Sequence, residues 1–140
     1  MDQSASSEVE VRPVTTADLP KVAEFIEPFV AQGRLLPRTR EELDELVPHG
    51  FVAVSDNEIV GFVALEVYSR KLAEVRSLAV SSQFRRQGVG KKLVDSCVAR
   101  ASELGVLEVM AITSAEDFFL NCGFDFTLPG EKKALFRALR

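Results

Sequence analysis

The sequence predicts one α/β domain in which helices cover both faces of a mixed β-sheet. Short apolar runs alternate along the chain with segments of three- and four-residue apolar spacing, which are typical of strands and of helices respectively. Residues 74–104 read as a strand, a glycine-bearing turn and a long amphipathic helix in direct succession. With 140 residues, 46% of them hydrophobic, the chain can bury one core. We expect residues 1–7 to be a disordered tail and residues 8–140 to be the domain.

The first strand and the two helices after it are predicted from alternation and capping. Residues 9–14 alternate between apolar and polar side chains, which favours a strand. Thr15 and Thr39 are each followed three positions later by an acidic residue, a pattern that begins a helix. Pro28 is expected to end or bend the first of these helices.

The rest of the chain predicts a hairpin, a third strand, a long helix, a strand, a short helix and one or two final strands. Asp56-Asn57 is a typical hairpin turn, and Gly105 is expected to end the long helix. The expected strands are residues 51–54, 59–68, 74–80, 106–112, 124–128 and 134–139, and the expected helices are residues 90–104 and 113–121.

The start of the long helix combines glycines with basic side chains. Gly88 and Gly90 let the backbone approach a ligand closely, and the free N–H groups of a first helical turn attract anions. Arg85, Arg86 and Lys91 strengthen that preference. We therefore expect an anion site here, with a diphosphate as its natural ligand.

Two other glycine-rich phosphate motifs do not fit this loop. A nucleotide-binding P-loop ends in Gly-Lys-Ser/Thr, whereas Gly90 is followed by two lysines. A dinucleotide-binding fingerprint requires a third glycine where this chain has Leu93.

The sequence Arg-x-x-Gly-x-Gly, formed by Arg85, Gly88 and Gly90 after a strand ending in Leu-Ala-Val, resembles the coenzyme A pyrophosphate loop of the GNAT family of N-acetyltransferases. The predicted order of elements also resembles that family over nearly the whole chain after residue 8. The resemblance implies a GNAT fold whose fourth and fifth strands splay apart, with acetyl-CoA bound in the gap and no metal.

The resemblance also implies which residues bind the donor. The backbone of β-strand residues 78–80 would hold the pantetheine arm, and the loop would hold the pyrophosphate. A backbone N–H near Leu78 would polarise the acetyl carbonyl, so Leu78 is also a catalytic candidate. The implied coenzyme-binding residues are Leu78, Ala79, Val80, Arg85, Arg86, Gln87, Gly88, Val89, Gly90, Lys91, Ser114 and Phe119.

Direct transfer of the acetyl group is expected, since no cysteine or serine is placed for a covalent intermediate. The resemblance implies Glu74, at a position that some family members use as the base, as the candidate general base, directly or through a water. A purely structural pairing of Glu74 with Arg76 or Lys71 is an equally good interpretation. Phe119 stands where the family usually has a tyrosine as general acid, so water or another group must protonate the thiolate. Tyr68, the only tyrosine, is not expected to replace it.

Two loop segments resemble the amino-acid N-acetyltransferases of the N-acetylglutamate synthase type, residues 33–39 (Gly-Arg-Leu-Leu-Pro-Arg-Thr) and residues 128–133 (Leu-Pro-Gly-Glu-Lys-Lys). An amino dicarboxylate needs cationic partners, and arginine binds carboxylates best. Arg38 and Arg76 are the candidates, with Lys132 as a weaker third. The alternatives are a surface charge for Arg38 and a salt bridge within the sheet for Arg76.

The resemblance therefore implies acetylation of L-glutamate, a step of arginine biosynthesis. Another small amine, a protein N-terminus or lysine, and a non-catalytic acetyl-CoA sensor are the alternatives. The net charge of −4 argues against nucleic acid and anionic membrane as partners. Cys97 and Cys122 lack metal-ligand spacing, and the N-terminus lacks a signal peptide, so we expect free thiols and a cytoplasmic location. A homodimer is left open.

Overall fold

The computed structural model describes residues 8–127, 130 and 133–139, which form a mixed five-stranded sheet in the order β1-β2-β3-β4-β5. The first four strands are antiparallel to their neighbours, whereas β5 is parallel to β4. The strands are β1 (Glu10–Pro13), β2 (Gly50–Ser55), β3 (Glu58–Val67), β4 (Leu72–Val80) and β5 (Glu108–Met110). The helices are α1 (Leu19–Ala31), α2 (Arg40–Leu46), α3 (Val89–Glu103) and α4 (Glu116–Asn121).

Helices cover both faces of the sheet, as the sequence predicts. On one face, α1 and α2 bury apolar side chains such as Val22 and Leu43 against Phe62 of β3. On the other face, α3 and α4 do the same with Leu93, Cys97 and Phe119. Burial of apolar surface on both faces is the main source of stability for such a layered domain. None of the helices in the described part of the chain has the length and apolar character needed to span a bilayer.

The local signals for turns and caps are confirmed. The Thr39 hydroxyl accepts a hydrogen bond from the Glu42 N–H at 3.1 Å, and the Glu42 carboxylate accepts one from the Thr39 N–H at 2.7 Å. Asp56 and Asn57 both adopt a positive φ, 51° and 64°, which a tight β2–β3 hairpin requires. Before α1, hydrogen bonds from Arg12 hold the pKa of the Asp18 carboxyl well below its usual range.

Pro28 does not end the first helix, which is a correction to the sequence-based expectation. Helix α1 continues to Ala31, and the Pro28 carbonyl accepts a hydrogen bond from Gln32 at 3.0 Å. Because Pro28 lies in the last turn, its missing N–H removes one hydrogen bond of the helix and leaves the following residues free to remain helical.

The expected strands at the end of the chain are also wrong in part. Strand β5 has three residues rather than the predicted seven, and residues 124–127 and 133–139 have no regular secondary structure. Leu135 and Phe136 are 92% and 76% exposed. A segment with alternating apolar residues forms a strand only where it can pair with a free sheet edge. The three residues of β5 provide only a short edge for such pairing. Residue 128 of the predicted segment lies outside the described residues.

Gly61 of β3 fixes how closely α3 approaches the sheet, and this contact can be tested. A Cβ at position 61 would lie 2.9 Å from Cδ1 of Leu93 and 3.1 Å from Cβ of Ala53. Gly61→Ala is therefore expected to lower the free energy of unfolding by about 1–3 kcal/mol, measured by urea denaturation. Leu93→Ala makes room for the new methyl group, so the two substitutions should be non-additive in a double-mutant cycle. Additive effects would contradict this packing.

Candidate active site

A gap opens in the sheet where β4 and β5 separate. Pairing between the two strands is confined to Leu72–Glu74 with Glu108–Met110. Strand β4 continues to Val80, whereas β5 ends at Met110. Among the described residues, β4 has no strand partner on this side after Glu74, so the predicted splaying of the fourth and fifth strands is confirmed. Peptide groups on that edge are available to a ligand.

A β-bulge lies in β4 within the same stretch. Phe62 of β3 pairs with Ala79 and Ala64 pairs with Arg76, so two residues of β4, Ser77 and Leu78, lie opposite one residue of β3. Ser77 has a φ of 58°, which is unusual for a residue other than glycine. A bulge interrupts the hydrogen-bond ladder and redirects the local backbone. Leu78, the predicted donor of an N–H to the acetyl carbonyl, therefore lies where the ladder is broken.

Glu74 lies at the point where the gap begins. Its side chain is buried, at 8% exposure for the residue, and its Oε1 accepts a hydrogen bond of 2.6 Å from the Tyr68 hydroxyl. No other described residue donates a hydrogen bond to this carboxylate, and its Oε2 has no hydrogen-bond partner among the described residues. Among the described residues, no ion pair within 4.0 Å joins the Glu74 carboxylate to Arg76 or to Lys71, and Arg76 pairs with Glu66 instead.

Tyr68 is a contact of this site that sequence reasoning missed. It follows β3 directly, and its N–H donates to the Leu72 carbonyl at 3.0 Å across the turn into β4. Burial and the hydrogen bond to Glu74 raise the pKa of Tyr68, so it stays protonated and can donate. The available signal was the short turn at residues 69–71, which folds Tyr68 back beside the start of β4.

Arg38 and Arg76 converge on one carboxylate, that of Glu66 on β3. The distances from Glu66 Oε1 are 3.7 Å to Nη2 of Arg38 and 3.3 Å to Nη1 of Arg76. Arg38 also donates from Nε to the Ser77 hydroxyl at 3.3 Å, and its side chain is only 10% exposed. Arg38 is thus not a free surface charge, whereas the alternative of an in-sheet salt bridge is present for Arg76. Both predicted arginines are brought together.

Glu66 is the second residue that the sequence analysis missed. It pairs directly with Glu74 across β3 and β4, which places two carboxylates opposite each other on the face covered by α1 and α2. Like charges in this arrangement destabilise a sheet unless cations or donors compensate them. Arg38 and Arg76 compensate Glu66, and the Tyr68 hydroxyl compensates Glu74.

The glycine-bearing loop lies at the far end of β4. Gly88 has a φ of 79° with open space in front of it, and α3 begins at the next residue. Arg85, Arg86 and Gln87 are exposed beside it. Lys91 turns away along the helix to Asp95, at 2.9 Å. The N–H groups of the first turn of α3 and the two exposed arginines are groups that can bind an anion.

A sequence profile of the Acetyltransferase (GNAT) family matches residues 19–124. The chain belongs to this family. It is 37% identical over 114 residues to an uncharacterized N-acetyltransferase of Chlorobaculum tepidum, covering 81% of this chain and 74% of that protein. As a GNAT protein, it is an acetyl-CoA-dependent N-acetyltransferase.

Relatives with a named activity are similar over most of this chain. An amino-acid acetyltransferase of Pasteurella multocida is 30% identical over 129 residues, which cover 88% of this chain but 29% of that protein. Rv2747 from Mycobacterium tuberculosis, solved in complex with CoA, superposes with a TM-score of 0.74 at 28% identity over 81% of this chain and 70% of its own. N-acetylglutamate synthase from Neisseria gonorrhoeae, complexed with coenzyme A and N-acetyl-glutamate, gives 0.73 at 26% identity, over 84% of this chain and 28% of its own.

The described residues of this GNAT domain fit acetyl-CoA as the donor. Val80 lies six positions after Glu74 along β4, a distance of at most roughly 20 Å at about 3.3 Å per residue. A ligand that reaches from Glu74 to the glycine-bearing loop must therefore be extended. The free edge of β4 can bind its amide groups along the way.

The remaining predicted residues lie around this gap. Phe119 is buried at 8% exposure and packs edge-on against Phe118 and Phe124, with ring centroids 5.0 and 5.2 Å apart. Ser114 is exposed before α4, and Lys132 lies outside the described residues. Gly90 faces α4, because a Cβ there would lie 3.2 Å from the Phe118 ring.

The two cysteines and the potential metal ligands do not form a second site in the described part of the chain. Burial raises the pKa of Cys97 to about 12, so its thiol is inert, and burial also raises the pKa of Cys122. No group of three or more His, Cys, Asp or Glu side chains among the described residues is arranged to hold a metal ion.

The effect of a side chain at position 88 on coenzyme A binding can be separated from the conformational cost of placing it at a positive φ. Gly88→Ala places a side chain at φ 79°, which costs about 1–2 kcal/mol, and puts a methyl group where we expect the pyrophosphate. Binding of coenzyme A, measured by calorimetry, should weaken strongly. Gly105→Ala is the matched control, since Gly105 has a φ of 77°, equally open space, and lies beyond the other end of α3. The control should lose similar stability and keep its affinity; equal affinity in both variants would exclude this loop as the phosphate site.

Proposed function

We propose that this GNAT domain transfers the acetyl group of acetyl-CoA to the α-amine of L-glutamate, which would place it in arginine biosynthesis. The observation that carries the proposal is the convergence of Arg38 and Arg76 on one carboxylate beside Glu74, at the point where the sheet opens. Two guanidiniums next to a buried carboxylate provide a place for acidic groups of an acceptor and a base for its amine.

The arginines suit an acidic amino acid. A guanidinium binds a carboxylate through paired N–H donors, and such charge-assisted hydrogen bonds are stronger when partly buried. In the structure, the Glu66 carboxylate occupies this position and holds both guanidiniums in place. A carboxylate of the acceptor would share or replace it. The hydrogen bond from Arg38 to the Ser77 hydroxyl attaches the loop at residues 33–39 to the bulge of β4.

The chemistry we propose is direct acyl transfer. Oε2 of Glu74, which has no hydrogen-bond partner among the described residues, takes the proton of the acceptor ammonium, directly or through a water. The amine then attacks the thioester carbonyl, the N–C bond forms and the C–S bond breaks, and the second proton that the nitrogen loses passes to water. The backbone N–H of Leu78 stabilises the oxyanion. Phe119 has no proton to give, so the thiolate leaves as the anion or is protonated by water.

Two relatives support the choice of acceptor. The Pasteurella multocida protein is named an amino-acid acetyltransferase, and the Neisseria gonorrhoeae synthase was solved with N-acetyl-glutamate. The chain spans about three tenths of each of these proteins, so the proposal concerns the acetyltransferase reaction alone. The segments at residues 33–39 and 128–133, which resemble the synthases, point in the same direction.

The proposal is tested by measuring release of coenzyme A with a thiol reagent across free amino acids, peptides and polyamines. We expect turnover with glutamate to exceed that with glutamine and with cationic amines, because only glutamate carries two carboxylates for two arginines. Turnover on peptides or polyamines instead would contradict the acceptor while leaving the donor site intact. Coenzyme binding without turnover on any acceptor would identify a sensor.

Substitution of the arginines tests the pocket itself. Arg38→Ala and Arg76→Ala should each raise the KM for glutamate about tenfold to a hundredfold, since a hydrogen bond to a charged group contributes about 1.5–3 kcal/mol. The KM for acetyl-CoA should change little. Arg34→Ala is the matched control: Arg34 lies in the same loop as Arg38, but stacks on Phe29 at 5.6 Å. If all three variants bind glutamate normally, the acceptor does not bind here.

A further inference from the structure

We propose that Tyr68 is a positioning residue for the reaction, because its hydroxyl holds Oε1 of Glu74 and leaves Oε2 to receive the proton of the acceptor amine. The inference rests on the proposed role of Glu74 as the general base. A turn at residues 69–71 folds Tyr68 back toward β4, and the structure shows that its hydroxyl reaches the Glu74 carboxylate.

The hydrogen bond between Tyr68 and Glu74 has the geometry of a strong one. The oxygen atoms are 2.6 Å apart, within the range for a hydroxyl donating to a carboxylate. Glu74 itself is 8% exposed, whereas Tyr68 is 49% exposed. A half-exposed phenol thus lies against one side of a buried carboxylate. A donor to the ionised form stabilises that form, so Tyr68 compensates for the burial of Glu74.

Orientation is the second contribution of this contact. A carboxylate on a free side chain can present either oxygen to the acceptor, whereas a carboxylate with Oε1 engaged presents Oε2. Glu74 is the last residue of β4 that pairs with β5, so this carboxylate lies at the position where the gap begins. A general base works only when it lies within hydrogen-bond reach of the proton it removes. Tyr68 therefore acts through Glu74 rather than on the substrate.

The charged groups around the pair must be considered before pH is used as a probe. Glu66 of β3 and Arg76 of β4 lie on the same face, and Glu66 raises the pKa of Tyr68 while Arg76 lowers it. Arg38 is linked to this group through Glu66, whose Oε1 lies 3.7 Å from Nη2 of Arg38. On the other elements, the hydrogen bond from the Thr39 N–H and, to a smaller extent, the charges of Arg38 and Arg76 lower the pKa of Glu42 of α2. Glu108 of β5 pairs with Leu72. None of these groups is altered in the variants proposed below.

The hydrogen bond can be measured without any acceptor, because the chain contains one tyrosine and no tryptophan. Ultraviolet absorbance of the tyrosinate then reports Tyr68 alone. In Glu74→Gln the phenol should ionise at a pH lower than in the wild type by on the order of one pH unit, since the anionic acceptor is lost. Glu58→Gln, the same charge change at the opposite end of β3, should leave the titration unchanged. Circular dichroism at each pH confirms that the fold persists.

The positioning role is measured with Tyr68→Phe, which keeps the ring and removes the hydroxyl. We expect kcat to fall on the order of tenfold, less than in Glu74→Gln, because the base itself remains. The acidic limb of the pH–rate profile should move to higher pH, while the KM for acetyl-CoA stays the same. A purely structural role for the ring would not move that limb.

The outcomes separate this inference from the proposed function. Equal titration of the wild type and Glu74→Gln would show that the hydrogen bond is absent and overturn the inference. A lowered titration with an unchanged kcat and pH profile in Tyr68→Phe would overturn the positioning role alone. If the wild type acetylates a different amine, the proposed acceptor is wrong, and Tyr68 is tested on that amine. If it acetylates no amine, the proposed function and the positioning role are both wrong, and the titration still shows whether the hydrogen bond between Tyr68 and Glu74 is present.

Discussion

The separation of β4 from β5 after Glu74 is the constraint on which the rest of this structure depends. The parallel pairing covers three residues on each strand, and β4 then continues to Val80 without a strand partner on that side in the described part of the chain. Unpaired peptide groups that are buried away from water cost free energy. A gap that admits water, or a ligand that makes the same hydrogen bonds, avoids that cost. The open edge is therefore a consequence of the fold, and it is the surface on which we propose that acetyl-CoA binds.

One continuous segment, residues 72–91, contains most of the residues that we propose bind the donor. It contains the Glu74 carboxylate where β4 and β5 separate, the bulge at Ser77 and Leu78, and the glycine-bearing loop that precedes α3. Because these features follow one another along a single strand, their distances are set by the strand rise rather than by packing between distant elements. The position of α3 completes this arrangement, and the contact of Leu93 at Gly61 holds the helix on the sheet.

The proposed acceptor side is built differently, from residues that meet across strands. Glu66 and Glu74 face each other, and neither would be stable there without Arg38, Arg76 and Tyr68. Charge compensation makes the cluster a single unit, so a change at one member alters the electrostatics of the others. The same guanidiniums that stabilise Glu66 are the groups we propose for the acceptor carboxylates. Stability and recognition are coupled in this cluster for that reason.

Local chemistry allowed the sequence by itself to determine a large part of this protein. The capping box at Thr39 and Glu42, the Asp56-Asn57 turn and the end of α3 before Gly105 depend on neighbours within a few residues, and the structure has all three. The order of elements and the anion loop follow from such signals. Arg38, Arg76 and Glu74 were selected by residue type and by resemblance, and the structure brings them to one region of the sheet.

The tertiary structure alone decided which partners these residues have. Glu66 and Tyr68 enter the site because the register of β3 on β4 places them beside Glu74, and register is a property of two strands that neither strand specifies alone. The continuation of α1 past Pro28 and the absence of strand structure at residues 133–139 have the same kind of cause. A proline in the last turn removes one helical hydrogen bond, and an alternating segment becomes a strand only where a sheet edge is free to pair with it.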